Sequence, residues 1–161
     1  MGVAGCGKSS VAQAVATELG LTLIEGDDFH GPASLAKMRL GVPLTDADRA
    51  GWLNALAVQL QSHRGGVVLT CSALKRRYRD RLRDATPGLR FVHLEVDRAT
   101  AQARVTARGT AHFFSADLVE SQFVALESPA GEAGVLALDA TAPLHQLCRA
   151  VCAWALTTTT S

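Results

Sequence analysis

Residues Gly2-Val3-Ala4-Gly5-Cys6-Gly7-Lys8-Ser9 match G-x-x-x-x-G-K-[ST], and no other feature restricts the fold of this chain as much. The pattern describes a loop whose backbone N–H groups turn inward as an anion-binding nest and whose glycines let backbone approach phosphate closely. The helix that follows directs the positive end of its dipole at the bound anion. In this reading Gly2, Val3, Ala4, Gly5, Cys6, Gly7, Lys8, Ser9 and Ser10 bind nucleotide. Lys8 reaches the β- and γ-phosphates of ATP, and the Ser9 hydroxyl ligates Mg²⁺. Val11, Ala12, Val15, Ala16 and Leu19 continue as an apolar stripe at helical spacing. A loop of this kind joins a buried strand to a helix, and only Met1 precedes Gly2. The expectation is therefore a truncated first strand, and a chain less stable than one extended upstream.

The remaining segments alternate. Leu21–Ile24, Val67–Cys71, Leu89–Leu94 and Val135–Leu138 read as short strands. Residues 8–19, 33–40, those after an Asp46 N-cap, those around Leu74/Tyr78/Leu82, 98–108, 116–127 and 143–156 read as helices. Strand–helix alternation predicts an α/β P-loop NTPase fold, three α/β/α layers around a parallel sheet, with ligands at the carboxyl ends of the strands. Residues 1–156 form one domain with a lid around 104–116, and 157–161 form a disordered tail.

The length of 161 residues suits one core, and 48% apolar content indicates a globular chain. A net charge of +1 gives no pull toward nucleic acid or membrane, and no apolar run approaches the ~18 residues of a spanning helix. The opening residues lack the apolar core of a leader peptide. Cys6, Cys71, Cys148 and Cys152 show no metal-type pair and read as reduced thiols in a cytoplasmic protein, with Cys6 open to oxidation in the phosphate loop.

Glu25, Asp27, Asp28 and His30 end the second strand. A carboxylate there can orient and deprotonate an acceptor hydroxyl, and another can hold Mg²⁺ through water; the plain alternative is an acidic turn that caps a helix. Arg49 can fork onto a substrate carboxylate or pair with Asp46 or Asp48. Lys75 follows a buried strand and opens a basic run, Arg76 to Arg83, most of whose charges are expected in solvent. Arg104 and Arg108, one turn apart before Gly109, suit a closing lid or an exposed helix face.

Together these stretches resemble the gluconate kinases, small P-loop kinases related to shikimate and adenylate kinases. The resemblance rests on the P-loop, Gly26-Asp27-Asp28-Phe29-His30, Lys37-Met38, and the Gly41-to-Leu53 run with Pro43-Leu44, Asp46, Asp48-Arg49 and Trp52-Leu53. It extends through Cys71-Ser72-Ala73-Leu74-Lys75, Tyr78-Arg79-Asp80, His112-Phe113-Phe114 and Ser121-Gln122-Phe123. It implies ATP- and Mg²⁺-dependent phosphorylation of D-gluconate at its 6-hydroxyl. Asp27 would handle the acceptor hydroxyl and Arg49 and Lys75 the substrate carboxylate, with His30 and Lys37 beside them. Lys8, Arg104 and Arg108 would act on the phosphates, Ser9 and Glu25 at the metal, in a homodimer. The family usually carries Asp where this chain has Glu25, and the lid around His112 is one residue longer. A kinase for another hydroxy acid or a nucleoside monophosphate, and a nucleotide-binding protein without turnover, are the rival readings.

Overall fold

The computed structural model describes residues 1–107 and 116–157, the side chains of 116 and 117 excepted. Four strands, β1 (Thr22–Glu25), β2 (Val67–Thr70), β3 (Phe91–Glu95) and β4 (Val135–Asp139), alternate with seven helices among these residues. The helices are α1 (Lys8–Leu19), α2 (Pro32–Arg39), α3 (Asp46–Ser62), α4 (Arg76–Ala85), α5 (Arg98–Ala107), α6 (Ala116–Ala125) and α7 (Leu144–Leu156). A short 3-10 helix, Gly26–Phe29, follows β1 and carries Asp27 and Asp28.

Local chemistry explains the boundaries. Helix α1 ends at Gly20, whose φ of 64° is left-handed and whose N–H closes onto Ala16 and Thr17 carbonyls. Helix α2 starts on Pro32, which has no N–H to leave unpaired. Helix α3 corrects the expected Asp46 cap. Thr45 is the N-cap, its hydroxyl accepting the Asp48 N–H while the Asp48 carboxylate accepts the Thr45 N–H. The Thr–x–x–Asp spacing permits this reciprocal box, and Asp46 becomes the first helical residue.

The strands form two parallel pairs, β1 with β2 and β3 with β4. Met1 and Gly2 lie between them: the Leu94 N–H donates to the Met1 carbonyl and the Gly2 N–H to the Ser72 carbonyl. Strand alternation separates two cores. Val68, Val92, Leu94, Leu136 and Leu138 pack with Val11, Val15, Leu147 and Val151 of α1 and α7. Val67, Leu69 and Phe91 pack with Trp52, Leu56, Leu60, Tyr78 and Leu82 of α3 and α4. The arrangement is the expected α/β/α sandwich, and it brings the loops after β1 and β2 beside the P-loop.

Most charges of the basic run were expected in solvent, and Arg79 is the exception, being fully buried. Its Nη1 donates to the Ala73 and Leu74 carbonyls, its Nη2 to the Glu127 carbonyl, and its Nε and Nη2 to the Glu132 carboxylate. Arg83 pairs with the same carboxylate at 2.8 Å. The two cations, Arg79 foremost, hold the Glu132 carboxyl down at about 2. The clamp fixes Ala73, a non-glycine residue at a φ of 43°, in the turn that leads from β2 to Lys75.

Candidate active site

The P-loop wraps the start of α1, with Gly7 as a left-handed N-cap at a φ of 93°. Its glycines have different reasons. Around Gly7 nothing lies within 4 Å of where a Cβ would stand, so this position is open. At Gly5, with a φ of 81°, a Cβ would come 2.5 Å from the Ala101 carbonyl oxygen, so the protein's own α5 demands glycine there. Lys8 turns its amine onto the loop, donating to the Gly2 and Val3 carbonyls at 3.0 and 2.9 Å. Val3, Ala4 and Cys6 are buried beneath the loop, and Cys6 is only 1% exposed, which shields it from the oxidants that a loop thiol was expected to meet.

Ser9 and Glu25 come together as expected. The Ser9 hydroxyl donates to Glu25 Oε2 at 3.1 Å, and the Thr70 hydroxyl donates to the same oxygen at 2.6 Å. Thr70 Oγ1 in turn accepts the Gly26 N–H, which ties the ends of β1 and β2 to this carboxylate. The longer Glu25 side chain thus reaches the P-loop serine from a strand end.

A cleft of about 130 Å³ joins the two halves of the site, bordered by Gly7, Lys8, Ser9, Asp27, His30 and Arg49 among others. Asp27 projects from the 3-10 helix with its side chain 57% exposed. Beside it His30 is buried, stacked on Trp52 at a centroid distance of 4.6 Å, with Nε2 3.8 Å from Asp27 Oδ1. Its Nδ1 is buried with no hydrogen-bond partner. Burial lowers the His30 pKa below its ordinary 6.5, so the ring is neutral at neutral pH and leaves the Asp27 charge uncancelled. Trp52 is held by donating its indole N–H to the Gly26 carbonyl at 2.7 Å.

The basic residues separate. Lys37 is bound to Asp48 at 2.7 Å, a hydrogen bond that, with those from Thr45, holds the Asp48 carboxyl at about 2. Lys75 is bound to Asp46 at 2.9 Å, and Arg77 and the Tyr78 hydroxyl share that carboxylate. Neither lysine borders the cleft. Arg49 does, 6.0 Å over the Tyr78 ring, and no described carboxylate forms an ion pair with it. Of the two readings of Arg49, the salt bridge with Asp46 or Asp48 is absent among the described residues, because the lysines occupy both acids. Arg104 donates to the Gly5 and Ala140 carbonyls. Arg108, His112 and the rest of the expected lid loop lie outside the described residues.

Sequence reasoning gave no role to Gln122. Its buried Oε1 accepts the Ala4 N–H at 2.6 Å, so α6 buttresses the P-loop directly. A glutamine on an apolar helix face was the available signal. No cluster of three or more metal-type side chains is present among the described residues.

These features define a P-loop phosphotransferase scaffold with an acceptor pocket at the strand ends. Residues 1–129 match the model of an AAA domain family. A probable gluconokinase of Schizosaccharomyces pombe is 47% identical over 141 residues, covering 82% of this chain and 72% of that protein. The thermoresistant gluconokinase of Escherichia coli is 41% identical, covering 90% of this chain and 85% of its own. A crystal structure of a gluconokinase from Sinorhizobium meliloti superposes with a TM-score of 0.87 at 45% identity, covering 95% of this chain and 87% of that one. The chain belongs to the gluconokinase family.

Proposed function

We propose that this protein transfers the γ-phosphoryl group of ATP to the 6-hydroxyl of D-gluconate. The observation that supports the reading is that Asp27, His30 and Arg49 line the same cleft as Lys8 and Ser9 of the P-loop. The names of the relatives support the substrate. Asp27 accepts the proton of the attacking hydroxyl, and its exposure to the cleft leaves it reachable by substrate. Arg49, which no carboxylate among the described residues pairs, takes the gluconate carboxylate as a fork. Lys37 and Lys75 are held by Asp48 and Asp46, so they act on substrate only by exchanging partners, or by positioning the start of α3.

Lys8 leaves the loop carbonyls for the β- and γ-phosphates, and the P-loop N–H groups, Gly2 to Ser10, cradle the chain of phosphates. The Ser9 hydroxyl and Glu25 carboxylate are hard oxygen donors within 3.1 Å of each other, a pair that would hold Mg²⁺. When bound, that ion neutralises phosphate charge. Arg104 supports the P-loop through Gly5, and Arg108, outside the described residues, is assigned to neutralise charge on the phosphates. We assign the protein to the cytoplasm as a homodimer that engages neither nucleic acid nor membrane; among the described residues no helix is long and apolar enough to cross a membrane.

The test is an ADP-release assay with gluconate, other sugar acids, shikimate and nucleoside monophosphates as acceptors. Turnover restricted to gluconate is expected. Turnover on a nucleoside monophosphate instead, or nucleotide binding with no turnover on any acceptor, refutes the assignment.

A further inference from the structure

Two of the four thiols form a pair on α7. Cys148 and Cys152 stand one helical turn apart, with their sulfurs 3.9 Å from each other. Cys152 is buried in the core that α7 shares with α1, together with Val15 and Val151. Cys148 is half-buried at the margin of that core, and both thiols are free. The spacing is not the C-x-x-C of a metal-binding loop; the helix is what brings the two sulfurs together.

Geometry decides what such a pair can bind. A disulfide holds its sulfurs at ~2.05 Å and its Cβ atoms ~3.5–4.5 Å apart. Residues at i and i+4 of a helix keep their Cβ atoms ~5–6 Å apart, so closing that bond would distort α7. A tetrahedral ion with metal–sulfur bonds of ~2.3 Å spans two sulfurs at ~3.8 Å. The observed 3.9 Å is the bite of the ion and not that of the disulfide. A further donor stands across the seam between the helices. Glu18, in the last turn of α1, is exposed, and no ion pair engages it among the described residues. Its charge reaches the thiols. Burial pushes the Cys152 thiol above its ordinary value, and Cys148 and then Glu18 push it further the same way.

We propose that Cys148, Cys152 and Glu18 form a site for a thiophilic divalent cation of the zinc class, which fastens α7 to the end of α1. Two thiolates and a carboxylate supply three ligands, and water takes the fourth position on the open side at Cys148. On binding, each S–H bond breaks and each sulfur gives an electron pair to the ion. Two protons leave to solvent for each ion bound, and nothing is oxidised or reduced. Soft sulfur donors discriminate against Mg²⁺, a hard ion that prefers oxygen, so the phosphate site and this one take different cations. None of the three residues borders the cleft, and the proposal is independent of the acceptor of phosphoryl transfer.

The test titrates the intact, reduced protein with Cd²⁺, a spectroscopically visible stand-in for Zn²⁺, in excess Mg²⁺. The readouts are the ultraviolet charge-transfer absorption of the cadmium–thiolate bond, proton release and thermal midpoint. The expected result is one ion per chain, about two protons released and a raised midpoint. Cys148→Ser changes a half-buried position that the fold tolerates, and is expected to weaken binding at least about tenfold and to lose most of the absorption. Glu18→Gln is expected to weaken binding about tenfold while the absorption at saturation remains, because both thiolates remain. Absence of the absorption at saturating Cd²⁺ overturns the proposal. So does full absorption in Cys148→Ser, which would place the ion on Cys6 or Cys71, and so does unchanged affinity in Glu18→Gln.

Discussion

Replacing Arg79 by methionine removes a side chain that is fully buried and spends every donor group on the protein. The Leu74 carbonyl keeps a partner, since it also accepts the Glu127 N–H. The Ala73 and Glu127 carbonyls lose the donors they have from Arg79, at about 1–3 kcal/mol for each buried group left unpaired. Glu132 keeps Arg83 but loses its closest cation. The sum is about 4 kcal/mol, within the 3–5 kcal/mol typical of breaking a buried ion pair from one side. That is a large part of the ~5–15 kcal/mol total of a domain, and corresponds to a fall of about 8–16 °C in the thermal midpoint. The assay is urea unfolding followed by tryptophan fluorescence, run with Glu132→Met and the double variant. The double variant is expected to lose clearly less than the sum of the singles, because each single already breaks the shared contact. Arg79→Lys retains the charge but not the fork, and is expected to recover less than half of the loss. A loss below about 1 kcal/mol for Arg79→Met, or strict additivity, refutes the reasoning.

The same clamp gives a pH signature. Glu132 has its folded pKa lowered from 4.5 to about 2, so its contribution is full above the unfolded value and disappears as pH falls through the folded one. The urea midpoint of the native protein is expected to drop more steeply between these pH values than that of Glu132→Gln, and parallel curves would remove Glu132 from acid stability. Asp27→Asn is expected to abolish turnover with ATP affinity retained; near-normal turnover would exclude Asp27 as the proton acceptor. Arg49→Ala is expected to raise KM for gluconate at least tenfold, and Lys75→Ala to raise it less because Lys75 is already paired with Asp46. A larger effect at Lys75 would reverse their order. Gln122→Leu strands the Ala4 N–H and is expected to weaken ATP binding by about 1–3 kcal/mol, read by calorimetry; unchanged affinity would show that the P-loop needs no buttress from α6.

Much of the architecture was legible because it depends on local pattern. The P-loop glycines, the apolar stripe of α1 and the continuous run Val67–Thr70 each declare an element through its own periodicity, and strand–helix alternation leaves few topologies. Boundaries that depend on side-chain bonds were less legible. Thr45 displaced Asp46 as a cap because a reciprocal pair with Asp48 satisfies two donors at once. The cleft residues Lys8, Ser9, Asp27, His30 and Arg49 were all candidates before their proximity was known, since strand ends gather ligands in such sheets.

The sequence by itself determined the phosphate loop, the parallel α/β class and the chemical types available at the site, because these follow from residue identity and short-range spacing. Only the tertiary structure decided which charges are spent. Lys37 and Lys75 are paired with Asp48 and Asp46 while Arg49 faces the cleft, and Arg79, one among many arginines in its run, is the one drawn into the core. A charge is solvated, paired or buried according to what folds against it from distant parts of the chain. Glu132, 53 residues from Arg79, makes burial of that guanidinium tolerable.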